Sequence, residues 1–344
     1  MVCDRPTGPG VVAAASRIRH PHRLGSARRT CGRGGDAVIV VAGVVTVRVA
    51  RQFESFPIPF VSSTTHPGDI SIRLAGVGWT VARTLQQLGD AVRLATYVGT
   101  DLAGRLAKLE LHEHGLAGPT VLSTDSQPRS MVLYDREGRR CGASDLRRTP
   151  RLTYPATLFA QTVPGDCTAA VLTNIGFTRS LIPVVAERGI PFATDLHLVR
   201  DVESAHNQDW MRCAHVLASS HEKLPMSPEQ WVRRLWSRYG TEVVIVGCGS
   251  RGALLGLRAQ RRIWHVPAVA PRGVRFQAGA GDTLLATFVH GYFRSGDPVA
   301  AIRRAVLAAG WKVGGTPDEE AGVPAVVLER LIAEGGLPGV IPVE

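Results

Sequence analysis

With 344 residues, 44% of them hydrophobic, the chain has material for one large α/β core or two ordinary domains. The net charge of +11 does not mark a nucleic-acid binder: residues 1–36 hold seven Arg and two Asp, and the +6 on the rest of the chain is interspersed with acids, without a basic helix face or aromatic platform. The longest uncharged apolar run, Ala37 to Val47, is too short to cross a bilayer. No nucleic-acid or membrane partner is therefore expected, and six scattered cysteines (Cys3, Cys31, Cys141, Cys167, Cys213, Cys248) without a Cys-x-x-Cys pair read as free thiols of a cytoplasmic protein.

Residues 1–36 are rich in Arg, Gly and Pro without periodicity, and read as a disordered Arg-rich tail; a transit peptide or an upstream start codon would also account for that composition. The folded domain is expected over 37–344. Ala37 to Ala42 is a continuous β-branched run ending at Gly43, as in a buried parallel strand. Val44 to Phe60 alternates apolar and polar residues, with Pro57 and Pro59 implying a sheet edge, and Ile70 to Leu74 alternates again, so this piece is expected to form a small sheet outside the core. Ala75-Gly76-Val77-Gly78 opens a helix from Trp79 to Leu88, stopped by Gly89. A strand over Val92 to Val98 leads through Gly99-Thr100-Asp101 into a helix from Leu102 to His114. Its end, His112-Glu113-His114, reads as a solvated helix terminus, because adjacent helical residues point to different sides. Met131 to Tyr134 and Arg140 to Ala143 read as a hairpin that joins the outer sheet.

From Ala169 onward, strands at 169–172, 191–194, 216–218 and 243–246 alternate with helices at 181–188 and 228–239, which implies a parallel sheet with helices on both faces. Gly247-Cys248-Gly249-Ser250-Arg251-Gly252 completes a G-x-G-x-x-G after a strand, but a dinucleotide fingerprint needs a helix next. The following residues, Ala253 to Leu257 and Ile263 to Val266, alternate around an Arg-rich turn as a hairpin, which leaves a glycine turn able to face a nucleotide phosphate. Only Lys108, Lys223 and Lys312 are lysines and no glycine loop continues into Gly-Lys-Ser/Thr, so phosphate must be held by amides, arginine and Mg²⁺.

Three helices follow, from Thr283, Pro298 and Pro324, and the first is preceded by Gly279-Ala280-Gly281-Asp282. Glycines let backbone amides approach a ligand closely, and a helix start adds unpaired donors at the positive end of a dipole. A carboxylate beside such an anion site is unfavourable unless it takes a proton or a metal is near, so Asp282 reads either as a general base or as a plain N-cap.

The order of these pieces resembles the PfkB carbohydrate kinase family. Its late signature, Asp-Thr-x-Gly-Ala-Gly-Asp before a helix, is similar to Phe276-Gln277-Ala278-Gly279-Ala280-Gly281-Asp282. Its early signature resembles Ala75 through Gly104, with Leu88-Gly89 and Val98-Gly99-Thr100-Asp101-Leu102-Ala103-Gly104 in register. Covering about residues 37 to 335, the resemblance implies a ribokinase-like three-layer αβα fold: a mostly parallel central sheet with a small β lid, its strands about 44–74 and 129–143. It implies that Asp282 takes a proton from a substrate hydroxyl while the amides of Gly279, Ala280 and Gly281 stabilise a phosphoryl group arriving from ATP. The family's Asn-x-x-Glu looks like Ser219 to Glu222, with Glu222 organising Mg²⁺ through water. Its nucleotide turn looks like Gly247, Gly249 and Gly252, and adenine contacts are implied somewhere in Ala301 to Gly315.

The departures concentrate in the substrate half, where Gly76, Gly78, Thr80, Asn174 and Arg48 are the candidates. Arg48 falls near the family's strand-end Asp, Thr80 replaces its helix-start Asn, Asp195-Leu196-His197 replaces Asp-Pro-Asn, and Phe276 replaces the acid opening the late signature. Arg48 suggests an anionic or phosphorylated acceptor. The implied partner is a small-molecule alcohol, and the outer sheet would close as a lid or pair two subunits as a homodimer. Two alternatives stand beside a sugar kinase: a nucleoside kinase, and a binding protein that keeps the fold without turnover.

Overall fold

The computed structural model describes residues 38–343; the tail expected over 1–36 lies outside them. In chain order the elements are β1 (Val38–Ala42), β2 (Thr46–Phe53), β3 (Ile70–Ala75), α1 (Val77–Gln87), β4 (Ala91–Gly99), α2 (Leu102–Glu113), β5 (Val121–Thr124), β6 (Arg129–Asp135), β7 (Arg140–Asp145) and α3 (Ala156–Thr162). Then come β8 (Cys167–Leu172), α4 (Ile182–Glu187), β9 (Phe192–Asp195), α5 (Gln208–Cys213), β10 (Val216–Ser220), α6 (Pro228–Tyr239), β11 (Val243–Gly247), β12 (Ala253–Leu257) and β13 (Arg262–Val266). The chain closes with α7 (Ala280–Ser295), α8 (Pro298–Val313), α9 (Ala325–Gly335) and β14 (Ile341–Val343).

β1 shows why the central sheet carries helices on both sides. It pairs in parallel with β4 and β8, and its side chains alternate between two apolar clusters. Ile39 and Val41 join a cluster with α1, α2, α7 and α8. Val40 and Ala42 join one with Phe159 of α3, Val184 of α4, Trp210 of α5 and Trp231 of α6. A strand buried on both faces needs apolar residues at every position, and that is what the uninterrupted β-branched run supplies. The ten strands run in the order β14-β13-β12-β11-β10-β9-β8-β1-β4-β5. Pairing is parallel from β5 to β11 and antiparallel beyond it, where the hairpin expected after Gly252 is formed by β12 and β13. α7 is buried continuously from Thr283 to Val289. A helix buried on every side over this stretch must be enclosed by neighbours.

A second sheet, ordered β3-β2-β6-β7, lies apart from the first. The edge position expected from Pro57 and Pro59 is not found: β2 is flanked by β3 and β6, because the strand stops at Phe53 and both prolines fall beyond the ladder where no amide donor is needed. One face of this sheet buries Ala50, Val132 and Tyr134 against Phe276, just ahead of the Gly279 turn. Among the described residues no helix is long and apolar enough to cross a membrane.

Candidate active site

Three neighbouring parallel strands, β9, β10 and β11, end at Asp195, Ser220 and Gly247; Ser220 and Gly247 are register partners, and Asp195 ends its strand two residues earlier, opposite Ala218. In a parallel sheet the crevice outside such carboxyl ends is the usual ligand site, and here the start of α7 closes over it.

The turn into α7 has Gly279 as its N-cap at φ 87°, with no side-chain cap. That left-handed conformation is strained for any residue with a Cβ. Asp282 lies inside the first turn and caps nothing, so the N-cap reading does not describe it. Ala280's amide is engaged by the Gln277 carbonyl at 3.3 Å, while no carbonyl among the described residues accepts from the amides of Gly281 or Asp282. The helix mouth therefore keeps free donors beside the carboxylate.

Asp195 and His197 complete this cluster. The Asp195 carboxylate accepts from the His197 amide at 2.7 Å and lies 3.4 Å from His197 Nδ1. Ligand atoms of Asp195, His197 and Asp282 all fall within 4.8 Å of one another. His197 sits at φ 54°, held by its carbonyl accepting from Ser220 N at 2.8 Å. Burial, reinforced by the Asp195 charge and opposed by His197, lifts the Asp282 carboxyl to about 6. Burial disfavours the His197 imidazolium, but Asp195 and Asp282 overcome that and raise it to about 9, while His197 in turn holds Asp195 below the ordinary carboxylate range against burial. At neutral pH Asp282 is thus mostly ionised, yet a far better proton acceptor than a surface aspartate.

α1 meets this turn from the other side. A Cβ on Gly76 would stand 2.6 Å from the Val44 carbonyl oxygen and one on Gly78 2.5 Å from the Gly43 carbonyl, so both glycines permit the close crossing of the β1 exit over the start of α1. Thr80, buried there, has its methyl 3.5 Å from where a Cβ on Gly279 would be. Of these residues Thr80 meets the Gly279 turn, while Gly76 and Gly78 pack against the backbone leaving β1.

The glycine turn after β11 divides into two roles. Gly252, at φ 99°, leaves room for the Val266 carbonyl 2.0 Å from its absent Cβ, a requirement of the β12–β13 hairpin. Gly249, at φ 60°, faces only His221, whose Nδ1 donates to the Gly247 carbonyl at 3.0 Å. Glu222 is exposed beside it, its amide bonded to Ser220 Oγ.

Two expected substrate residues are engaged elsewhere. Asn174 donates to the Leu196 carbonyl at 3.4 Å and to Asn207 Oδ1 at 3.1 Å, bracing the segment after Asp195. Arg48 donates to the Pro317 carbonyl at 3.0 Å and lies over the Phe276 ring at 5.0 Å, and burial lowers its guanidinium to about 10. In the sequence Asp195 and His197 stand out only as departures from a motif; a strand-end acid two residues before a histidine is the signal that marks them as site residues.

Residues 217–320, from β10 through α8, match the profile of pfkB family carbohydrate kinases. A 76-residue stretch is 42% identical to the deoxyribokinase of Salmonella typhi, spanning 22% of this chain and 24% of that protein, so the match takes in about a quarter of its curated relative. In three dimensions the chain is similar to the microbiome-derived acarbose kinase Mak1, with 25% identity, a TM-score of 0.76, and coverage of 88% of this chain and 100% of the other. It has the fold of an Arabidopsis thaliana ribokinase determined with ribose and ATP, at 17% identity and a TM-score of 0.71 over 87% of this chain and 99% of that one. The fold is the ribokinase-like three-layer αβα arrangement.

Proposed function

We propose, from the premise that this chain carries the PfkB carbohydrate kinase match and the ribokinase-like fold, that it moves the γ-phosphoryl group of ATP to a hydroxyl of a sugar-like alcohol. The observation that carries this reading is the Asp282 carboxylate, raised towards neutrality and set beside unpaired amides at the mouth of α7. In the step proposed, the acceptor hydroxyl gives its proton to Asp282 and its oxygen forms a bond to the γ-phosphorus. The bond to the bridging oxygen breaks, and ADP leaves. Phosphoryl transfer asks a protein chiefly for positioning and for stabilisation of charge on the transferring group, and the free amides of Gly281 and Asp282 supply the latter.

ATP fits a mouth lined by free amides at the start of α7 and, at Gly249, by a residue without a side chain. Mg²⁺ fits Glu222: it holds most of its water and takes one or two carboxylates, and Glu222 is exposed without an ion-pair partner among the described residues. Mg²⁺ would neutralise phosphate charge there. Arg48, bonded to Pro317, is not poised to hold an anionic acceptor, which favours an uncharged polyol. The deoxyribokinase and acarbose kinase likenesses point the same way; a nucleoside is the nearest variant.

ATP consumption screened with Mg²⁺ over sugars, nucleosides and sugar phosphates tests the proposal. Turnover with an uncharged sugar or polyol is the expected result. ATP binding with silence over the whole panel would instead favour a protein that binds without turnover.

The outer sheet is proposed to close over the acceptor and to pair two copies. Val49, Ile72 and Met131 are register partners on its outward face, 36%, 56% and 50% exposed, a contiguous apolar row of the kind that marks an interface. Met131→Lys should convert a dimer to a monomer by light scattering. A monomeric wild type would remove this part of the reading. Free thiols at Cys141, Cys167, Cys213 and Cys248 support a cytoplasmic location.

A further inference from the structure

Lys312 stands in the last turn of α8, 4% exposed, its ammonium without a hydrogen-bond or ion-pair partner among the described residues. A lysine buried this far with no partner for its ammonium is unusual, since the side chain ordinarily reaches out to solvent. Here the side chain runs towards the Gly279 turn: its Cε is 4.0 Å from where a Cβ on Gly279 would sit, and its Nζ is 5.9 Å from the centre of the Phe276 ring. Val313, the next residue, fixes this approach by accepting through its carbonyl from the amides of Arg275 and Phe276, at 2.7 and 2.9 Å. The helix end that carries Lys312 and the loop that leads into the turn are therefore one rigid unit.

The charged groups around it do not neutralise it. Arg48 and Arg272 add positive charge, and Glu319, the acid nearest in effect, is held by Arg272 at 2.8 Å and by the Thr316 amide at 3.0 Å. Asp318 acts on Arg48.

We infer that Lys312 is a phosphate-binding residue, its ammonium supplying the positive charge that holds the terminal phosphates of a nucleotide against the Gly279 to Gly281 turn. This rests on the kinase reading of the same site. Burial, added to the repulsion of Arg48, lowers the Lys312 amine to about 8. Because that is below its ordinary value, the protonated lysine costs stability at neutral pH, and the cost disappears as pH rises past the unfolded-state value. Nucleotide affinity runs the opposite way, falling as the charge is lost through about pH 8.

Isothermal titration of a non-hydrolysable ATP analogue and of AMP, with Mg²⁺, against wild type, Lys312→Met and Lys312→Arg tests the assignment. Lys312→Met should weaken the triphosphate about tenfold or more, the scale of one charge-assisted hydrogen bond, while AMP changes by less than about twofold. Its melting temperature should equal or exceed that of wild type. Wild-type affinity for the triphosphate should fall above about pH 8, and that of Lys312→Arg should not. Unchanged triphosphate binding by Lys312→Met, equal loss of both nucleotides, or a lower melting temperature would overturn the inference by making the lysine structural. A wild type that binds neither nucleotide would overturn the kinase reading itself.

Discussion

Asp282→Asn should lower turnover by ~10²-fold or more, the range expected when a positioned base is removed, with ATP binding kept. The amide of asparagine fills the same space at the mouth of α7 and accepts no proton at working pH. Stability should not suffer. Asp282 titrates at about 6, above its ordinary range, so folding favours its protonated form. The stability linked to this group is full below the unfolded-state pKa and is lost as pH rises through about 6. At neutral pH the ionised carboxylate therefore works against folding, and the neutral amide should melt at the same temperature or higher. Near-native turnover in a folded Asp282→Asn protein would falsify the base assignment.

Gly281→Val should be comparably damaging for a different reason. A Cβ on Gly281 would meet nothing closer than Asp195 Oδ2, at 3.7 Å, an ordinary contact, so the first carbon of the new side chain enters without a backbone clash. Its two methyl groups would then occupy the gap between Asp195 and the free amides, where the proposed transfer takes place. Displacing reacting groups by about 1 Å costs on the order of 10²-fold, and that loss is expected with wild-type circular dichroism and melting. Full activity in Gly281→Val would place the phosphoryl group elsewhere.

Both predictions rest on a turn that can be read directly in the chain, because its meaning is local. Gly279 to Asp282 and the helix behind them are contiguous, and two glycines before an apolar run need no tertiary information to suggest a ligand-facing helix start. The same holds for β1, whose unbroken apolar residues announce burial on both faces, and for the β12–β13 hairpin, whose period of two excludes a dinucleotide fingerprint. Contributions that come from a distance are opaque. Asp195 reaches Asp282 only because β9 is placed beside β10 in the sheet, and Lys312 reaches the turn only because α8 folds back along α7. Arg48 illustrates the converse: its identity suggests an anionic substrate, but its guanidinium is held by the Pro317 carbonyl. Short elements escape the sequence for a related reason. β5, β14, α3 and α5 hold too few residues to show a period, and neighbours define them. For β2, the prolines that suggest an edge lie outside the strand.

The most direct test of a carboxylate acting as base is the pH dependence of kcat/KM for the acceptor in the wild-type protein. With Asp282 at about 6, the rate should fall tenfold per pH unit on the acid side of that value and level off above it, until deprotonation of Lys312 begins near pH 8. Asp282→Asn should lack the acid limb altogether. A wild-type profile that stays flat through pH 6 and bends only in the ordinary carboxylate range, or an acid limb that survives in Asp282→Asn, would contradict the account.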